Sequence, residues 1–385
     1  MKNAVICQLS DFGPEYPGSF VDSLLHLARS CRQTLRLETL CVFPQRARGR
    51  KWLEKFDKEG VKYAFVPAKR NIALSLRRVL KDSRPLIFHS HFQTFDLAAI
   101  FLKLGLYRDS KIVWHLHSMA RLTLHQRIKD AIKVKLLGRH FGDLFITDGD
   151  GVYHNAIDRG LPHGKLLVNH LGVDVGRFSP NTEARQSFRE SISVPREEMV
   201  FLALGRIPLI KGVDLFVKAA EHMTRDKAGK SLFLLVGREE TREFVSGLPE
   251  STRLGTGLRV LDPTDDFPRL LSGIDVFVAP SRTEGFAYAV LEALAAGKLV
   301  LCSDIPGVRE IYGKLEGVWL FPSEDWKKLS ELMQRALELS QTERERLGQA
   351  NSRYVAEHLS LEAWAKKISA IYSRLLNKQS EQIFS

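Results

Sequence analysis

The chain has 385 residues, enough for two domains that each bury a core of their own. Its 44% hydrophobic content excludes a disordered or low-complexity protein. The formal net charge of +12 is unevenly placed: residues 1–180 carry 29 Lys+Arg against 16 Asp+Glu, and the remainder 28 against 29, so the whole excess belongs to the first half.

No apolar run reaches the roughly 18 to 20 residues that span a bilayer. The start, MKNAVICQLSDFG, passes directly from a strand-like run into a polar loop and lacks a signal peptide's long apolar region. A cytoplasmic protein is the expectation, peripheral on the inner leaflet of the cell membrane if the basic half meets lipid. Cys7, Cys31, Cys41 and Cys302 form no CxxC pair and sit in or beside apolar runs, as inert buried thiols do.

In chain order, periodicity predicts strands at 3–9, 35–43, 62–67, 85–91, 111–117, 143–148 and 166–171. Helical patterns at 20–33, 48–59, 71–83, 94–104, 122–141 and 152–159 fall between them. A polar stretch, 179–198, reads as a linker. A second set follows, with strands at 200–205, 231–236, 258–262, 275–279, 299–303 and 317–321 and helices at 212–225, 239–246, 266–273, 287–297 and 307–312. Such alternation predicts an α/β protein of two Rossmann-like, doubly wound halves, 1–178 and 179–360. Three helical runs, 324–340, 342–358 and 361–377, close the chain. The last spaces Leu361, Trp364, Ile368, Ile371, Tyr372 and Leu375 as a docking face.

The stretch Asp275 to Gly297 reads as strand, loop and helix, and it carries two carboxylates. Glu284 falls in the loop at the carboxyl end of the strand, where open parallel sheets bind ligands. Glu292 interrupts an apolar helix face, where a carboxylate is costly unless donors such as vicinal ribose hydroxyls meet it. The backbone N–H groups of Phe286 and Ala287 could receive a phosphate with help from the helix dipole. Gly205-Arg206 ends the first strand of the second half and Lys211-Gly212 opens the next helix, a pair of cations suited to a diphosphate. Lys211 is followed by Gly, which excludes a Walker loop. Either carboxylate or either cation alone would be an ordinary structural or surface charge. Together they point to a sugar nucleotide.

GRIPLIKGVDLFVKAAE and PSRTEGFAYAVLEALAAGKLVLCSDIPGVREI resemble glycosyltransferase family 4, retaining nucleotide-sugar-dependent enzymes of GT-B fold. G-R-x4-K-G and E-x7-E keep the family's order and spacing. Pro17-Gly18, HSH at 89–91, WHLHS at 114–118 and LGVD at 171–174 carry the resemblance more thinly into the first half. The resemblance implies two Rossmann-like domains facing a cleft, with the helix about 361–385 returning to the first. It makes Arg206 and Lys211 the diphosphate grips, assisted by Gly205. Glu292 is then the ribose ligand, and Glu284 with Gly285 contacts the transferred sugar. Gly18 faces the phosphates, and His117 lies near the reaction centre. No cofactor and no metal is implied, the sugar nucleotide being a substrate, with a UDP-sugar expected. Leu171 stands where the family often has Asn, and Gly237-Arg238-Glu239-Glu240 replaces a frequent Gly-Asp-Gly turn near the expected base.

Ten of the twelve histidines precede residue 171. His89, His91, His115 and His117 sit at two predicted strand ends, each pair on one side of its strand. Without a carboxylate or cysteine of matching spacing, substrate contact or strand-end packing outweighs a zinc site. His91 and His115 are the acceptor-binding candidates. Asp148-Gly149-Asp150 looks like the metal-binding D-x-D of the other main transferase fold, but that fold has no use for the Arg206, Lys211, Glu284 and Glu292 set, so a loop turn is expected.

RIKDAIKVKLLGRH, 127–140, and the cluster Arg46, Arg48, Arg50, Lys51 and Lys55 suit an anionic membrane surface and a lipid-linked or glycan acceptor. A solvated basic face or an acidic soluble acceptor is the alternative. Nucleic acid is not expected, since no recognised binding module accompanies the charge. Glycosylation of a soluble small molecule, a GT-B-like epimerase or phosphorylase, and a non-catalytic sugar-nucleotide binder are the rival functions.

Overall fold

A computed structural model describes residues 3–69, 71–117, 130, 132–226, 231–249 and 257–377. The chain forms two compact units, Met1–Gly172 with Leu361–Ser385, and Val173–Ser360. The division thus falls six residues before the expected one. Val173 donates its N–H to Leu359 O at 2.9 Å and forms a parallel bridge with Ser360, which ties it to the second unit.

In the first unit seven strands are parallel, in the order β3-β2-β1-β4-β5-β6-β7. They are β1 (Asn3–Ser10), β2 (Glu38–Pro44), β3 (Lys62–Val66), β4 (Ser83–His91), β5 (Lys111–Leu116), β6 (Leu144–Thr147) and β7 (Leu166–Val168). The second unit's six parallel strands run β10-β9-β8-β11-β12-β13. These are β8 (Met199–Leu204), β9 (Ser231–Val236), β10 (Leu258–Leu261), β11 (Val276–Ala279), β12 (Leu299–Ser303) and β13 (Val318–Phe321). The central strands of each sheet are near-continuously apolar and buried on both faces, as parallel sheets covered by helices require, while the edge strands β3 and β10 are partly exposed. Trp114, Phe88 and Phe145 are fully buried in the first core, and Phe201, Phe216 and Phe233 in the second. Each such ring contributes about 3 kcal/mol by leaving water.

Strand order reverses between β1 and β4 in the first sheet, and between β8 and β11 in the second. Each reversal opens a crevice at the carboxyl ends of its strands. Three of the seven positive-φ non-glycine residues among those described lie there. Phe92 and Gln93, just past β4, take φ of 63° and 66°, and Ile207, just past β8, takes 58°. A β-branched residue in the left-handed region costs on the order of 1–3 kcal/mol and persists only where its surroundings enforce it.

The expected linker is instead largely the helix Thr182–Ser191. Asn181 caps it by accepting Ala184 N–H at 2.8 Å. Arg185 and Arg189 anchor it on Asp275 at 2.6 and 3.2 Å, and Phe188 is buried, so its polar sequence hides a packed face. The helix Leu361–Leu376 packs on the helix Gly18–Leu35 within the first unit, with Ser369 Oγ 2.9 Å from Ser30 Oγ. Of the expected helix at 122–141, residues 122–129 and 131 lie outside the described residues; Ile132–Gly138 is a π-helical segment. All four cysteines are buried and unbridged, and burial raises each thiol's pKa, that of Cys31 to about 12.

Candidate functional site

In the second unit the loops after β8 and β11 meet at the strand reversal. Gly205 is a glycine because a Cβ there would lie 2.4 Å from Thr241 Cγ2, and Thr241 Oγ1 donates to Gly205 O at 3.0 Å. Arg206 follows with its side chain exposed. The loop returns at Gly212, where φ is +66° and a Cβ would sit 1.9 Å from Pro280 O. The backbone of one loop therefore rests against that of the other, and Arg282 N–H donates to Ile210 O at 2.9 Å.

This contact sets the charges. Lys211 Nζ stands 2.5 Å from Glu284 Oε1, and Ser281 Oγ donates to the same oxygen at 2.7 Å. Both charged groups are mostly covered, at 28% and 15% side-chain exposure, which strengthens the pair relative to a surface one. Arg282 forks onto Asp214 at 2.8 and 2.9 Å and onto Glu324 at 2.6 and 2.8 Å. The sequence reading missed this clamp; its signal would have been the Arg two residues before Glu284. Burial raises the Asp214 pKa, and the Arg282 hydrogen bonds and charge more than offset it, leaving a net lowering.

Gly285, Phe286 and Ala287 lead into the helix Tyr288–Ala295, and Phe286 and Ala287 are buried. Glu292 lies on that helix, 7% exposed. Leu204, Lys211, Ser281, Glu284, Ala287 and Val290 line a concavity at the strand ends. Lys211, Glu284 and Ala287 thus line one concavity at the carboxyl ends of β8 and β11, with Arg206 exposed on the same loop as Lys211 and Glu292 on the following helix.

In the first unit Gly18 opens the helix Gly18–Leu35 with φ +53°, and two residues on, Phe20 meets His91 and His117 edge-on at 5.3 and 5.8 Å between ring centroids. Register makes the histidine cluster: His91 is the Cα partner of His115 across β4 and β5, and Leu116 pairs with Thr147 on β6. Asp148 therefore emerges beside His117. Asp148-Gly149 is a bend after β6, and the carboxylate that spacing alone did not offer the histidines comes from it: Asp148 is fully buried and takes His115 Nε2–H and His117 Nδ1–H at 2.8 Å each, while Asp150 begins a helix. His91 Nδ1 is 2.9 Å from His117 Nε2, and His91 Nε2 is 3.0 Å from Gln8 Oε1. Gln8 Nε2–H donates to Tyr372 Oη at 2.9 Å, and Tyr372 Oη lies 2.5 Å from His89 Nδ1.

Burial drives the pKa of His89 and His91 well below 6.5 and lowers that of His115 against the pull of Asp148. Asp148 itself is raised by burial but brought down to about 2 by the charges and hydrogen bonds of His117 and His115. With 1% exposure, His91 and His115 have no open face for an acceptor, which corrects the expectation for them. His117 keeps 11% side-chain exposure, between the rings of Phe20 and Phe92. His89, His91 and His115, or His115, His117 and Asp148, have the donor types of a metal site.

Of the basic cluster, Arg46 pairs with Asp11 at 2.6 Å, Lys55 with Asp22 at 2.5 Å, and Arg48 covers the Phe65 ring. Local partners therefore occupy much of its charge.

The model of the family glycosyl transferases group 1 matches residues 184–354. The N,N'-diacetylbacillosaminyl-diphospho-undecaprenol alpha-1,3-N-acetylgalactosaminyltransferase of Campylobacter jejuni is 30% identical over 200 residues, 51% of this chain and 50% of its own. The UDP-Gal:alpha-D-GlcNAc-diphosphoundecaprenol alpha-1,3-galactosyltransferase of Escherichia coli is 30% identical over 145 residues, 37% of this chain and 38% of its own. The chain spans about half the length of the first of these relatives, and less of the second. Among solved structures, Anabaena HepE in complex with UDP superimposes with a TM-score of 0.80 at 15% identity, covering 96% of this chain and 99% of that one. WaaG, a glycosyltransferase involved in lipopolysaccharide biosynthesis, gives 0.70 at 14%, covering 96% and 100%. Residues 184–354 form a domain of the glycosyl transferases group 1 family, in a chain of GT-B fold.

Proposed function

We propose that the protein transfers a sugar, with retention, from a UDP-sugar to a hydroxyl of a lipid-linked or glycan acceptor in cell-envelope polysaccharide synthesis. The observation that carries this reading is the meeting of Lys211 and Glu284 at the strand reversal of the second sheet, with Arg206 on the same loop as Lys211 and buried Glu292 on the next helix. Arg206 and Lys211 grip the diphosphate, and the N–H groups at Phe286 and Ala287 add the helix N-terminus. Together they stabilise charge developing on the leaving group without a metal ion. Glu292 takes the ribose and Glu284 the transferred sugar. Both relatives named above act, by their names, on diphospho-undecaprenol-linked sugars, which supports a lipid-linked acceptor.

A face of the first unit suits a peripheral position at an anionic membrane. Leu97, Phe101 and Leu104 stand exposed along one side of the helix Asp96–Gly105, with Leu106 after it and Ile132 and Leu136 exposed on the neighbouring π-helical segment. Lys135 and Arg139 are exposed on or just after that segment. Apolar side chains ringed by cations bind an anionic leaflet by insertion and by charge, at about 1 kcal/mol per basic residue. Among the described residues no helix is long and apolar enough to cross a membrane.

Thermal shift with UDP, GDP, ADP, CMP and their sugar conjugates, with and without EDTA, tests the donor reading. A ligand of the native state stabilises it by RT ln(1 + [L]/Kd). A shift by UDP compounds alone, unchanged by EDTA and lost in Glu292→Ala, is expected. No shift with any nucleotide, or one that needs metal, would overturn the reading.

A further inference from the structure

We propose that His89, His91 and His115 form a metal site inside the first unit, which takes a divalent cation of the zinc class and ties β4 to β5. The three side chains are buried, and one nitrogen from each falls within 4.8 Å of the other two. Topology builds the set. Alternation places His89 and His91 on one side of β4, and His91 pairs with His115 across β4 and β5. The His89 and His115 rings lie within 5° of parallel, with centroids 5.3 Å apart. Two of the nitrogens point to a ligand: His89 Nε2 and His115 Nδ1 are buried and have no hydrogen-bond partner among the described residues. Buried polar atoms are ordinarily paired, so two of them on neighbouring rings ask for one shared occupant.

Outer partners decide which nitrogen each ring gives. Asp148 only accepts, so His115 holds its proton on Nε2 and leaves a lone pair on Nδ1. A carboxylate behind the imidazole in this way orients metal-bound histidines and raises their basicity. Tyr372 Oη, 2.5 Å from His89 Nδ1, does the same for His89 by accepting Nδ1–H. Gln8 gives its amide N–H to Tyr372 and turns its carbonyl to His91 Nε2, so the His91 lone pair is on Nδ1. That nitrogen faces His117 Nε2 at 2.9 Å; the ion takes it over, and His117, 11% exposed, keeps Asp148 and turns its other N–H to water. Burial holds all three imidazoles neutral, the form that binds metal. Imidazole nitrogens suit zinc, copper or nickel, whereas magnesium and calcium take oxygen. Zinc–nitrogen bonds of about 2.0–2.1 Å set tetrahedral ligands about 3.4 Å apart, so the rings close on the ion, and water takes the fourth position. The other set, His115, His117 and Asp148, is already satisfied by its own hydrogen bonds at 2.8 Å. The ion stabilises the first unit and is separate from the donor chemistry assigned to Lys211 and Glu284. Protons compete with it for the same nitrogens, so acid weakens this unit with or without the ion.

The full chain, stripped of metal with EDTA, is titrated with Zn2+ and with Co2+ and followed by thermal shift, by metal content after gel filtration and by the visible spectrum of cobalt. A single retained zinc per chain, a raised midpoint and the cobalt bands of tetrahedral nitrogen ligation are expected. His89→Gln and His115→Gln, where folded by circular dichroism, should lose the retained zinc. Asp148→Asn should bind zinc about 10–100-fold more weakly. His154→Gln, at an exposed histidine, should bind as wild type does. EDTA should lower the starting midpoint and leave the rise added by UDP unchanged, which separates this site from the donor reading. A wild-type chain that retains no zinc and shows no tetrahedral cobalt spectrum overturns the proposal without any variant. So does a folded His89→Gln or His115→Gln protein that still retains its zinc.

Discussion

Lys211 Nζ rests 2.5 Å from Glu284 Oε1, so the expected diphosphate grip and the expected sugar contact neutralise each other across 73 residues of sequence. A donor entering this site has to share or displace that pair. Lys211→Ala should lower kcat/KM about 100-fold, equivalent to about 2.7 kcal/mol of lost transition-state stabilisation. Steady-state kinetics checks this, and an unchanged kcat/KM would remove Lys211 from the reaction.

Arg282 is expected to act on the loops and not on the chemistry. Arg282→Ala leaves Asp214, 14% exposed at its side chain, without its bidentate partner and unlinks Glu324. A loss of about 2–4 kcal/mol in denaturant unfolding is expected. Because the Asp214 pKa is lowered in the folded protein, the wild-type contribution is present above the ordinary carboxylate pKa near 3.8 and lost as pH falls through the folded value. The stability difference between variant and wild type should therefore shrink in acid.

Gly212→Ala should fail for geometric reasons. Its φ of +66° disfavours any side chain, and the new Cβ would overlap Pro280 O at 1.9 Å. Separation of the two loops, at about 2–4 kcal/mol, should remove the thermal shift by UDP even where the second unit stays folded by circular dichroism.

Acid should open the first unit before the second. His89, His91 and His115 are kept neutral by burial, so the unfolded chain binds more protons than the folded one below about 6.5, and stability declines as pH falls from there. Asp148, at about 2 in the folded protein against the ordinary 3.8, adds stability that is complete above 3.8 and lost towards pH 2. That last contribution is about 2 kcal/mol. Hydrogen exchange at pH 7, 5.5 and 4 should show β4 and β5 losing protection ahead of β8 and β11. Equal loss in both sheets would refute it.

Membrane attachment is checked by sedimentation with anionic and neutral vesicles. Phe101→Asp places a charge on a residue 58% exposed and should release the protein from anionic vesicles without changing its unfolding midpoint. Neutral vesicles should bind neither protein.

By itself the sequence determined the alternation of strand and helix, the carboxyl-end positions of Arg206, Lys211 and Glu284, and the place of Glu292 on the helix that follows, because these follow from local periodicity and short fixed spacings. It also exposed the docking face of the helix Leu361–Leu376, whose apolar residues recur every turn. Only the tertiary structure decided which strand ends become neighbours. Asp148 joins His115 and His117 because β6 lies beside β5, and Arg282 meets Asp214 because β11 lies beside β8. Sheet order depends on crossovers of tens of residues, and no local pattern records it. The helix Thr182–Ser191 escaped for a related reason: its buried face is built from Phe188 and from the stems of Arg185 and Arg189, whose charges find Asp275 some ninety residues on.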